Sequence, residues 1–140
     1  MAVIATATQA LSNLIKKYDS EAVDLFNELV TVNESAQTTY KVGTVLGKIT
    51  ASGKYIVSKQ AAADGSQVPA AIVIGTGTLG EPIDQVIPAT TDTKVLVLAR
   101  GKVVVSKDAL FLDATFSSGA QKQFAYDSLK AQGILVEQSI

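Results

Sequence analysis

From Tyr40 to Val105 the chain reads as short apolar runs cut by turn signals, and this spacing confines it to a β-rich fold. Val42, Val45, Leu46 and Ile49 are interleaved with Gly43 and Gly47, and glycine inside a strand marks a bulge or a close backbone approach. Ser52-Gly53 predicts a hairpin turn leading into Tyr55-Ile56-Val57. Asp64-Gly65 predicts another turn, followed by Ala70 to Ile74 as a buried strand. Val95 to Ala99 and Val103 to Val105 flank Arg100-Gly101, which predicts one more tight reversal. Gly75 to Asp92 reads as a loop-rich insertion, and Leu110 to Phe116 as a further short strand.

The two ends differ from this middle. Ser118 with Gln121 three residues later is a capping box, in which the hydroxyl accepts from the free amide at the third helical position. Phe124, Ala125, Ser128 and Leu129 then share one helical face, Gly133 sits where a left-handed terminating residue belongs, and Ile134-Leu135-Val136 closes as a strand. Near the start, Leu11, Leu14, Ile15, Tyr18, Ala22, Leu25, Phe26 and Leu29 follow helical spacing, yet Leu29-Val30-Thr31-Val32 is strand-like. The reading adopted is a short helix over about residues 9–18, with a strand near Val32. Ala2, Val3, Ile4, Ala5, Thr6, Ala7 and Thr8 are uncharged and free of proline and glycine, so they suit addition to a sheet edge through backbone hydrogen bonds.

Composition narrows the chemistry. The 140 residues suit one ordinary domain, and 47% hydrophobic against 18% charged implies a large core or apolar surface buried against partners. Net charge is −1, with a single arginine, Arg100, and scattered lysines, so direct nucleic-acid binding is not expected. The absence of cysteine and histidine excludes disulfides and thiolate ligands and removes the commonest general base near neutral pH. No basic leader region and no membrane-length apolar run are seen, so no membrane partner is expected.

Two motifs compete for a chemical role. Gly75-Thr76-Gly77-Thr78-Leu79-Gly80 has dinucleotide-loop spacing after a strand, but Pro82 and Pro88 leave no room for the helix that would hold a pyrophosphate. Gly43 to Thr50 superficially matches a phosphate loop, with one residue too few before Gly47-Lys48 and Ile49 where a hydroxyl belongs. Asp64, Asp84, Asp92, Asp108, Asp113 and Asp127 are spread without calcium-loop spacing. No motif brings nucleophile, base and orienting group together, so no catalytic residue, cofactor or metal is expected and the chain reads as a non-enzyme.

Four blocks then align in order. GTVLGKITASGKY over Gly43 to Tyr55 resembles the opening of lambda-type head decoration proteins of tailed bacteriophages. Ala61 to Gln67 with Pro69 to Val73 resembles that family's Asp-Gly turn before a buried strand, and Val95 to Lys102 its apolar strand ending in Arg-Gly. Ala125 to Val136 resembles its terminal alanine-rich helix and Gly-Ile-Leu-Val end. The blocks cover about residues 40–136, and Gly75 to Asp92 is longer than the family's usual connection.

The resemblance implies a mainly β chain with one or two short helices (α+β), in a compact β-clip or β-tulip-like domain with an extended N-terminal arm. Residues 1–20 would be the capsid-binding arm and 21–140 the decoration domain. It implies homotrimers at three-fold and quasi-three-fold sites on the outer surface of the capsid, with the arm on the major capsid protein, stabilising the expanded DNA-filled head. Two other readings stand beside it: another phage accessory module, such as a head-fibre base or tail accessory, and a small nucleotide-binding enzyme using Gly75 to Gly80.

Overall fold

The structure is a computed structural model, and it describes residues 15–18, 27–77, 83–99 and 103–137. It is mainly β, as the turn spacing predicts, with one α-helix among the described residues. Five strands close a barrel: β2 (Asn27–Val32), β4 (Val45–Lys48), β5 (Tyr55–Val57), β6 (Pro69–Thr76) and β8 (Thr93–Leu98), in the order β2-β5-β4-β6-β8. A second sheet sets β9 (Val103–Ser106) between β1 (Ile15–Tyr18) and β10 (Ile134–Glu137). A two-stranded ribbon pairs β3 (Thr38–Tyr40) with β7 (Gln85–Ile87).

The long apolar runs are explained by burial on both faces. Along β6, Ala71 and Val73 point into the barrel, while Ile72 and Ile74 point outward, and all four are buried. On β8, Val95 and Val97 face the barrel interior and Leu98 the outer core; on β4, Leu46 and Val45 divide the same way. The barrel interior also holds Val30, Val32, Tyr40 and Ile87. The outer core is completed by Val103 and Val105 of β9, Leu129 of the helix α1 (Gly119–Lys130) and Ile134 of β10. A strand that serves two cores has no polar face to alternate with, which is why these segments show continuous hydrophobicity.

Local signals at the helix are borne out. Ser118 Oγ accepts from the Gln121 amide at 3.2 Å, and Gln121 Oε1 accepts from the Ser118 amide at 3.1 Å. Ala125 and Leu129 are buried against the barrel wall, whereas Phe124, expected on that face, is 47% exposed. The inward stripe is narrow, and α1 packs chiefly against β10 and β6. The predicted turns at Gly53 and Gly65 form, both with positive φ, and Gly133 takes the left-handed conformation expected of it.

Two expectations are corrected and two segments are refined. Ile15–Tyr18 is a strand, not the end of a helix over residues 9–18; residues 9–14 lie outside the described residues. Its partner β9 is almost ninety residues away in sequence, and that tertiary pairing outweighs local spacing. The tight reversal expected at Arg100-Gly101 lies outside the described residues; on either side of it β8 belongs to the barrel and β9 to the second sheet, so the two strands do not pair. Leu110 to Phe116 is not a strand. Lys107–Ala109 forms a 3-10 turn, and Asp113 accepts from the Thr115 amide and hydroxyl, so the chain curls and keeps only the Thr44–Phe111 bridge. The loop-rich insertion Gly75 to Asp92 also contributes the short strand β7.

Candidate functional site

The expected capsid-binding residues, Ala2 to Thr8, lie outside the described residues. The structure does show where the chain that follows them takes hold. β1 runs antiparallel to β9, with Ile15 opposite Val105 and Tyr18 opposite Val103. On the other side of β9, β10 runs parallel, with Ile134 opposite Val103 and Glu137 opposite Ser106. A four-residue strand, VVVS, therefore holds both the first described segment and the last.

The glycine-rich motif has a structural reason. Gly75 pairs with Leu96 just after a bulge, and a Cβ on Gly77 would sit 1.9 Å from the Lys94 carbonyl oxygen. Only a residue without a side chain lets β6 pass β8 there. Residues 78–82 lie outside the described residues, and the described ones that follow are β7, antiparallel to β3, and β8, antiparallel to β6, so among the described residues no helix follows the motif to hold a pyrophosphate.

Among the described residues the carboxylates do not converge. Asp64 accepts from the Ser66 amide and hydroxyl, Asp113 from Thr115, and Asp127 from Gln123. Asp92 accepts from Asn33 Nδ2 at 2.7 Å and lies 2.9 Å from Lys54 Nζ. Asn33, then Lys54, hold its carboxyl below the ordinary range. Among the described residues no three His, Cys, Asp or Glu side chains cluster as metal ligands, and no helix is long and apolar enough to cross a membrane.

One buried carboxylate was not legible in the sequence. Glu34 is 7% exposed and accepts from the Tyr40 hydroxyl and, at 2.8 Å, from the Val57 amide. Its backbone carbonyl accepts from the Thr90 amide at 2.7 Å. Glu34 thus ties the β3–β7 ribbon to β5 and the β7–β8 connection. Burial first, then the Glu34 carboxylate, push the Tyr40 phenol far above its ordinary range, so Tyr40 remains a hydrogen-bond donor.

Two surface grooves stand out. One, of about 680 Å³, lies between α1 and the 107–117 segment, with Lys107 over the Tyr126 ring at 5.1 Å. The other, of about 390 Å³, follows β2 beside the Ser52-Gly53 turn. Large exposed apolar side chains, including Leu29 and Val86 at 55% each, are scattered over separate elements, Leu29 on β2 and Val86 on β7.

A barrel with surface grooves, exposed apolar side chains and no converging reactive groups among its described residues has the build of a structural binding module. The family model for bacteriophage lambda head decoration protein D matches residues 5–134. The chain belongs to that family, and its role is structural decoration of a phage capsid, with a place in the virion. No curated protein matches the chain.

Proposed function

We propose that the protein binds the outer surface of the capsid as homotrimers at three-fold and quasi-three-fold positions and stabilises the expanded, DNA-filled head. Its arm, Ala2 to Thr8, pairs as an extended strand with the major capsid protein. The single observation that carries this reading is the family match across residues 5–134. The uncharged, β-branched composition of the arm supports the mode of attachment.

Energetics favour a multivalent arrangement. Ordering this seven-residue arm costs about 7 to 14 kcal/mol at ~1–2 per residue. Edge hydrogen bonds return only about 0.5–1.5 kcal/mol each, so one arm is marginal. Three arms on one trimer act at high effective concentration, and the avidity gained is on the order of 10²- to 10⁴-fold.

The test is to mix purified protein with undecorated expanded capsids and image them. Density on three-fold positions is expected; isolated monomers elsewhere on the lattice would refute the trimer. Deleting residues 2–8 is expected to leave the melting temperature unchanged and to weaken binding sharply. Ile4→Pro should act in the same direction by removing a backbone donor, whereas Thr6→Val should do little. Unchanged affinity of the truncated protein would assign binding to the globular body.

A further inference from the structure

The barrel is closed by a single rung. β2 pairs with β8 over all six residues, from Asn27–Leu98 to Val32–Thr93. On its other side it meets β5 only at Val32–Tyr55, where the Asn33 amide donates to the Tyr55 carbonyl. Backbone groups alternate along a strand, so the odd-numbered residues of β2 face the β5 side. Leu29 therefore presents its N–H and C=O to a seam that no described strand fills below Tyr55. The 390 Å³ groove lies along this seam, walled by Glu28 to Thr31 on one side and by Lys48 and Ser52 to Tyr55 on the other.

We infer that this seam is an acceptor slot for an extended, acidic segment of the capsid shell, which docks as a short strand beside β2 and continues the column that β5 begins. The inference rests on the decoration reading above and adds a second contact, on the body rather than the arm. Four residues of added strand, about 13 Å long, match the open stretch Glu28 to Thr31. The Leu29 side chain, 55% exposed, offers apolar contact along the same edge. Charge selects the partner. Lys54 is engaged by Asp92, and Lys94 Nζ donates to the neutral Thr31 hydroxyl. Lys48 has no acidic partner among the described residues. The groove lining as a whole sets Lys48, Lys54 and Lys94 against Glu28 and Asp92, an excess of one positive charge that favours acidic side chains on the incoming strand.

Hydrogen exchange read by mass spectrometry, on free protein and on protein bound to undecorated expanded capsids, tests this. Binding is expected to slow exchange in the peptide spanning residues 27–32 at least about tenfold, with the Leu29 amide protected. Leu29→Pro removes only a seam-facing donor and leaves the rungs to β8, so it should fold and lower capsid affinity about tenfold or more. Lys48→Glu, a surface change that keeps the backbone intact, should lower affinity as well and carries the test if the proline variant does not fold. Wild-type protein that decorates capsids while Leu29 exchanges at its free rate would overturn the slot and leave the decoration reading standing. Failure of wild-type protein to bind capsids would remove both. Protection of Leu29 that rises with concentration in capsid-free solution would give the seam to a second copy and overturn the inference.

Discussion

Tyr40 shows how much one hydroxyl can hold. Tyr40→Phe leaves the buried Glu34 carboxylate with only the Val57 amide, and hydrogen bonds to charged groups contribute about 1.5–3 kcal/mol. A loss of that size in urea-melt stability is expected. Gly77→Ala should be worse than its single methyl suggests, because the atom it meets at 1.9 Å is the Lys94 backbone carbonyl, which cannot swing aside. Overpacking of this kind costs about 1–3 kcal/mol, read by the same melts, and Gly119→Ala, which meets nothing within 4 Å, is the neutral control. Asp64 sets an acid limit. Its carboxyl is held below the ordinary 3.8 by the Ser66 hydroxyl and then the Ser66 amide. The lowered folded pKa means that its stabilisation is complete above the unfolded value and is lost as pH falls through the folded one. Ser66→Ala should therefore flatten the fall in melting temperature between about pH 5 and pH 2. Of these residues, the Asp64-Gly65 turn was legible because its hydrogen bonds close within three residues. Glu34 was not, since nothing local relates it to Val57.

At the scale of the element the same division holds. Helix α1 was readable because its cap, Ser118 with Gln121, is a local device. Ser118→Ala should cost about 1 kcal/mol in thermal stability, within ~0.5–2 for such caps. The Asp-Gly and Ser-Gly turns were readable for the same reason. β1 was not: its helical spacing is genuine, but β9 offers an edge that no window of sequence near Ile15 contains. β8 and β9 are close in sequence, and only the topology shows that they belong to separate sheets. The candidate site was readable still less. The proposed arm rests on composition alone and lies outside the described residues, while the seam beside β2 depends on how far β5 extends alongside it, a property of register.

Across the whole molecule, β4, β6 and β8 are shared walls between two cores, so neither core can open alone. Leu46→Ala inside the barrel and Leu129→Ala outside it should each cost about 2–5 kcal/mol and shift one common unfolding transition. Calorimetry should give equal calorimetric and van't Hoff enthalpies for both variants; two separated transitions would show that the cores are independent. The second sheet has a different consequence. β1 enters it at Ile15, beside Val105, and β10 leaves it at Glu137, beside Ser106, so entry and exit flank the same end of β9. Two strand spacings separate them, roughly 10 Å. A linker of a few residues could join Glu137 to Ile15, and new ends could be opened at the Ser52-Gly53 turn, giving a circularly permuted body without its first fourteen residues. A domain fused directly after Glu137, by contrast, would leave the body beside Ile15, at the edge where the first described strand enters.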